Sequence, residues 1–87
     1  MDISDELLIE ISYVKISTYR TRVMKSLEDE VKIPSKIAED ADIRQNHISK
    51  VLAELKTQEL VEYINPEVRK GRLYRLTEEG EGIVNKL

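Results

Sequence analysis

The segment from residue 34 to residue 59 constrains the fold more than any other stretch, because two helical patterns flank a very short break. In the second pattern apolar residues recur at i, i+3, i+4 and i+7, as on one buried helix face: Ile48, Val51, Leu52 and Leu55. Pro34 suits the first turn of the preceding helix, where a missing N–H costs little. Asp42 tolerates the left-handed backbone of a tight turn. The sequence therefore predicts a helix-turn-helix over residues 34–58.

The outward face of the second predicted helix, from about Arg44 to Gln58, is small and polar. A helical projection places five residues outward, with Gln45 and His47 beside them: Asn46, Ser49, Lys50, Ala53 and Thr57. A helix that enters the DNA major groove needs short hydrogen-bonding side chains and one or two cations on that face. An ordinary amphipathic helix in a small bundle is the alternative.

A β-hairpin is predicted directly after this helix, over residues 60–77. The first strand is β-branched and aromatic, Pro66 ends it, and Gly71 permits the positive φ of the return. Three cations mark the tip: Arg69, Lys70 and Arg72. A hairpin that follows a helix-turn-helix is a wing, and a basic tip suits phosphates or the minor groove. A merely solvated basic loop is the alternative.

The N-terminal sixteen residues are ambiguous. Ser4 and the two acids after it predict a helix over residues 5–12, which runs into an extended segment over residues 13–16. The apolar surface of this helix exceeds what a small domain needs as a cap. Both a dimer arm and a helix folded back on its own core remain open.

Two further helices complete the predicted fold. Ser17 caps a helix over residues 18–28, with an apolar inner face made of Tyr19, Val23, Met24 and Leu27. A polar connection over residues 29–33 follows. Thr77 caps a short final helix that Gly80 and Gly82 weaken. The predicted fold class is α+β and mainly helical, a winged helix-turn-helix with a three-helix core, a β-hairpin wing and a short C-terminal helix.

Composition excludes several kinds of chemistry. The 87 residues suit one domain with a small core, which dimerisation would support. The absence of cysteine excludes disulfides and thiolate metal sites, and a single histidine excludes a histidine cluster. We find no catalytic constellation and no cofactor motif, so we expect no enzyme, no cofactor and no metal. We also find no signal peptide or long apolar run, which favours a soluble cytoplasmic protein without membrane contact.

The net charge of −3 is unevenly distributed along the chain. Residues 44–75 carry seven basic and four acidic side chains, whereas residues 1–43 carry six basic and ten acidic ones. The basic part coincides with the predicted helix and wing. Phosphate binding requires a local basic surface and not a basic protein.

Several motifs together resemble archaeal winged-helix transcriptional regulators, relatives of the MarR and ArsR groups. The motifs are Tyr13-Val14 with Ser17, Tyr19-Arg20 and Val23, then Pro34-Ser35-Lys36-Ile37-Ala38, then His47-Ile48-Ser49-Lys50-Val51-Leu52-Ala53-Glu54-Leu55, then Leu60-Val61-Glu62, and Lys70-Gly71-Arg72-Leu73-Tyr74-Arg75-Leu76-Thr77-Glu78-Glu79-Gly80. The resemblance spans residues 13–84. It implies a sequence-specific regulator that binds double-stranded DNA, commonly as a homodimer on a two-fold symmetric site.

The resemblance also implies which residues contact DNA. The reading positions of the recognition helix fall on Gln45, Asn46, Ser49 and Lys50, and the wing cations fall on Arg69, Lys70 and Arg72. Arg44 stands where a capping Ser or Thr is expected, and we hypothesise that this cation serves a bound phosphate. For His47 both a DNA contact and a plain surface role remain open. A small-molecule effector is not identified. The alternative function is a protein-interaction module of a transcription or replication assembly.

Overall fold

The structure is a computed structural model that describes residues 5–87. Within this range the elements are α1 (Asp5–Lys15), α2 (Thr18–Ser26), α3 (Pro34–Ala41), α4 (Gln45–Thr57), β1 (Val61–Tyr63), β2 (Tyr74–Leu76) and α5 (Glu78–Val84). The predicted mainly helical winged helix-turn-helix is confirmed. The cap predicted at Ser4 lies outside the described residues. Within residues 5–87, none of the helices combines the length and the apolar character needed to cross a bilayer.

The turn between α3 and α4 has the predicted geometry. Asp42 adopts the left-handed conformation, with φ 57° and ψ 51°. The Ile43 amide donates to the Ala38 carbonyl at 2.9 Å, which closes the end of α3. Pro34 occupies the first turn of α3, as predicted. The left-handed residue ends α3 and lets the chain change direction into α4 without a glycine.

The extended segment predicted over residues 13–16 is wrong, because α1 continues to Lys15. Ile11 and Val14 on this helix are buried in the core. The Arg20 guanidinium donates to the Tyr13 carbonyl at 2.9 Å and lies 3.8 Å from the centre of the Tyr13 ring. Packing of α1 on α2 thus overrides the strand preference of the β-branched and aromatic residues. The helix is folded back on its own core, yet its outer apolar residues stay exposed.

Helix α2 differs from its prediction at two points. The Ser17 hydroxyl caps it as predicted, accepting from the Arg20 amide at 3.2 Å. The helix ends at Ser26 and not at Glu28, and Leu27 follows as its C-cap. Tyr19 was predicted on the inner face, but its side chain is exposed. Its ring instead lies against His47 of α4.

The connection before α3 contains a pairing that the sequence does not indicate. The hairpin strands pair antiparallel, with Val61 opposite Leu76. The Lys32 backbone adds a bridge to Tyr74, with hydrogen bonds of 3.0 and 2.8 Å. Its buried ammonium donates to the Ser26 carbonyl and lies 2.7 Å from the Asp40 carboxylate. Lys32 therefore joins the end of α2, helix α3 and the wing.

Helix α5 is docked on the base of the wing. The Thr77 hydroxyl caps it, accepting from the Gly80 amide at 3.0 Å. The Thr77 amide donates to the Leu60 carbonyl at 3.1 Å. Gly80 lies so close that a β-carbon there would be 2.1 Å from the Leu60 oxygen. The glycine that the sequence marks as a weak helix former is thus required by packing.

Candidate nucleic-acid interface

The outer face of α4, defined as Asn46, Ser49, Lys50, Ala53 and Thr57, is exposed at every position. The opposite face supplies four buried residues to the core: Ile48, Val51, Leu52 and Leu55. Burial of these residues fixes the rotation of the helix about its axis. The polar side chains on the opposite face therefore point to solvent. The helical projection made from the sequence therefore holds along the whole of α4.

The first turn of α4 lacks a side-chain cap. Arg44 occupies the N-cap position with an extended backbone, and its carbonyl accepts from the His47 amide at 2.9 Å. The Gln45 amide group donates to the Ser35 carbonyl at 3.3 Å, which ties this turn to α3. Uncapped N–H groups at a helix N-terminus favour an anion. The exposed start of α4 thus carries a cation beside backbone N–H groups that no side chain caps.

One flank of α4 faces α2. The Tyr19 and His47 rings are 5.8 Å apart between centroids and tilted by 48°. The Arg20 guanidinium lies 3.3 Å from the Glu54 carboxylate, the only acidic side chain of α4. Pairing with Arg20 offsets the one negative charge that α4 carries beside its polar face. The sequence does not indicate that Tyr19 lies at this flank. Only its proximity to His47 in the folded chain shows it.

The other flank of α4 faces the wing. Asn65 fixes the hairpin tip, since its side-chain oxygen accepts from the Leu73 amide at 2.8 Å and its amide group donates to the Gly71 carbonyl at 3.3 Å. Gly71 has a φ of 74°, as the predicted return requires. Arg69 and Lys70 are exposed, whereas Arg72 is half-buried and donates to the Val68 carbonyl at 2.8 Å.

A groove separates α4 from the wing and connects the two predicted parts of the site. We name it the wing groove, and its polar lining comprises Ser49 and Lys56 of α4 with Arg69 and Arg72 of the wing. Leu52, Tyr63 and Tyr74 also line it. The cationic tip and the outer face of α4 therefore border one concave surface. Lys56 was not predicted as a site residue. A lysine in the last turn of a helix is already explained by its favourable interaction with the helix dipole.

The cations of this surface lack acidic partners in the described part of the chain. No ion pair within residues 5–87 involves Arg44, Lys50, Lys56 or the three wing cations. Carboxylates gather elsewhere, in a cleft between α1 and α5 that is lined by Glu6, Glu10, Glu59 and Glu79. Burial there, together with the nearby Glu79, raises the pKa of the Glu10 carboxyl. The acidic excess of the chain is thus concentrated outside the wing groove.

No protein-family model and no curated protein matches this sequence. Solved structures of MarR family transcriptional regulators do match the fold. A regulator from Silicibacter pomeroyi DSS-3 superimposes with a TM-score of 0.71 at 15% identity, over 94% of this chain and 62% of its own. A regulator from Neisseria meningitidis gives a TM-score of 0.67 at 21% identity, over 91% and 61%. NadR in complex with 4-hydroxyphenylacetate gives 0.71 at 22% identity, over 94% and 62%.

These similarities show that this chain has the same winged-helix fold as the two MarR family regulators. The chain spans less than two thirds of the length of each of these three structures. What the chain binds must therefore be inferred from its own surface. The relevant features are the outer face of α4 and the wing groove.

Proposed function

We propose that the chain is a DNA-binding transcriptional regulator, with α4 in the major groove and the wing on the sugar–phosphate backbone. The single observation that carries this proposal is the wing groove, where an exposed polar helix face and a cationic hairpin tip meet. A helix fits the major groove in width, and a flanking hairpin then reaches the adjacent backbone. The winged-helix fold of MarR family regulators supports the same assignment.

The side chains on α4 suit recognition of base edges. Asn46 is exposed on the first turn, and an amide side chain pairs with the N6 and N7 atoms of adenine. Lys50 is one turn further on the same face and is within reach of guanine or a phosphate. Ser49 serves either kind of base. Gln45, which contacts Ser35 across the turn, is the fourth proposed reading position.

Phosphate contacts come from the cations around this helix. We assign Arg44 to a phosphate at the N-terminus of α4, where the backbone N–H groups also favour an anion. Arg69, Lys70 and Arg72 serve the backbone beside the wing. His47, held against Tyr19, borders the interface on the opposite flank. The local basic surface explains how a chain of net charge −3 binds a polyanion.

We further propose that the chain is a single cytoplasmic domain that acts as a homodimer. Three large apolar residues near α1 are exposed: Leu8 by 42%, Ile9 by 67% and Ile16 by 83%. A small domain gains stability by covering such residues with a second copy. A two-fold dimer would also bring two copies of α4 to successive turns of a palindromic site.

Salt-dependent duplex binding tests the proposed function. A mixed-sequence duplex is titrated at about 50 mM salt, where non-specific phosphate contacts are already strong. Binding is expected there and weakens steeply as salt rises. Site selection from random duplexes should then yield a consensus that Asn46→Ala broadens at one position. Absence of duplex binding at low salt would instead favour a protein-interaction module.

A further inference from the structure

The wing groove contains an aromatic ring, Tyr63, that none of the proposed DNA contacts uses. Two cations approach one aromatic ring: the Lys56 ammonium is 5.1 Å and the Arg72 guanidinium 4.4 Å from the centre of the Tyr63 ring. The Tyr63 ring is itself held edge-on by Tyr74, with centroids 5.5 Å apart and planes at 89°. One cation comes from α4 and the other from the wing, so Tyr63 links the two walls of the groove.

The two charges are close enough to repel each other. Both lie near one ring, so their separation is at most about 10 Å, which is about one Debye length at roughly 0.1 M salt. Attraction to the face of the ring offsets part of this repulsion. Neither cation has a carboxylate partner within residues 5–87. The Arg72 Nε atom donates to the Val68 carbonyl, which fixes the guanidinium and leaves its remaining donors for another acceptor. Such an arrangement suits an anion that bridges the two cations.

The position of the groove identifies the anion. When a helix occupies the major groove and a hairpin lies over the neighbouring minor groove, the sugar–phosphate backbone separates the two. The backbone must then pass between α4 and the wing, which is where Lys56 and Arg72 lie. Ser49 and Arg69 line the same groove and are polar as well.

We propose that Lys56 and Arg72, held by the Tyr63 ring, form a clamp for one backbone phosphate of double-stranded DNA. This inference rests on the proposed function and adds two residues to it, Lys56 as a contact and Tyr63 as a positioning residue. The clamp is independent of base sequence because a phosphate is identical at every step. It sets the spacing between the helix and the wing on the duplex.

The first test removes one charge. Lys56→Met keeps the length of the side chain, Lys56→Arg keeps the charge, and Lys86→Met removes an exposed charge from the C-terminal turn as a matched control. Lys56→Met is expected to weaken binding about five- to tenfold and to lower the salt slope by about one unit, equally on a mixed-sequence and a selected duplex. Lys56→Arg and Lys86→Met are expected to keep the affinity and the salt slope of the unaltered chain.

The second test examines the ring. Tyr63→Phe keeps the aromatic face, whereas Tyr63→Leu removes it. Tyr63→Leu is expected to lose about as much affinity as Lys56→Met, and the double variant to lose less than the two separate losses combined. Tyr63→Phe binds as the unaltered chain does. Melting curves confirm that each variant is folded at the assay temperature.

The outcomes separate the clamp from the function on which it rests. Duplex binding with an unchanged salt slope in Lys56→Met overturns the clamp and leaves the proposed function intact. A loss confined to the selected duplex also overturns it, because that result means base reading. Equal losses for Tyr63→Phe and Tyr63→Leu overturn the role of the ring. No duplex binding by the unaltered chain overturns the proposed function and the clamp together.

Discussion

Two glycines of α5 provide a test in which neighbouring substitutions have opposite effects. At Gly80 an added β-carbon would lie 2.1 Å from the Leu60 oxygen and 3.1 Å from its carbonyl carbon. At Gly82 an added β-carbon would meet no atom within 4 Å. Both positions belong to the same helix, so the gain in helix propensity from alanine is the same for both. The very short contact with Leu60 is the main difference between them.

The magnitudes follow from these distances. Gly82→Ala is expected to raise the free energy of unfolding by about 0.5–1 kcal/mol through helix propensity alone. In Gly80→Ala the β-carbon and the Leu60 oxygen must separate by about 1 Å or more to reach ordinary contact. Leu60 is fully buried and its carbonyl accepts from the Thr77 amide, so the separation displaces α5 from the wing base. Such overpacking costs about 1–3 kcal/mol, which exceeds the propensity gain.

Thermal unfolding followed by circular dichroism measures both effects. Gly80→Ala is expected to lower the melting temperature by about 5–15 °C, and Gly82→Ala to raise it by about 2–8 °C. Neither glycine borders the wing groove, so duplex affinity below the transition stays unchanged. Stabilisation by both substitutions would refute the close docking of α5 on Leu60.

Four other results are expected. Asn46→Ala should cost about 1–3 kcal/mol on the selected duplex and nothing on random duplexes, as competition binding would reveal; equal losses would contradict base reading. Asp40→Asn should lower the free energy of unfolding at neutral pH, because a hydrogen bond from Lys32 lowers the pKa of the Asp40 carboxyl. The stability that the Asp40 carboxylate contributes is present above its ordinary pKa of 3.8 and is lost as pH falls through the lower pKa of the folded chain. Glu10→Gln should stabilise the chain at neutral pH, because burial and Glu79 raise the pKa of the Glu10 carboxyl. This gain in stability should vanish below the ordinary pKa of 4.5. Urea unfolding across this pH range measures whether Asp40→Asn destabilises and Glu10→Gln stabilises the chain. Ile9→Glu should convert the homodimer to a monomer, which sedimentation equilibrium measures. An unchanged molar mass would mean that α1 is not part of the dimer surface.

The helix-turn-helix was predictable because its signals are local. The apolar spacing of Ile48 and Leu52 sets the rotation of α4, and the left-handed tolerance of Asp42 marks the turn. The wing was also predictable, since Pro66 and Gly71 bound its tip within a few residues of two apolar strands. None of these features depends on a distant partner.

The remaining features depend on contacts between distant residues. Residues 13–15 form a helix because α1 packs on α2, and intrinsic strand preference is weak against such packing. Lys32 was assigned to a polar connection, although its partners are Asp40 and Tyr74. Lys56 and Tyr63 meet only when the wing folds against α4. No periodicity within a single element indicates any of these pairs.

The most direct test of the account maps the duplex onto the surface of the chain. An isotope-labelled chain is titrated with the selected duplex, and amide chemical shifts are followed. Shifts are expected at residues 44–50, at Lys56 and at residues 69–72, whereas α5 stays unchanged. Shifts confined to the acidic cleft between α1 and α5, with α4 and the wing unaffected, would contradict the account.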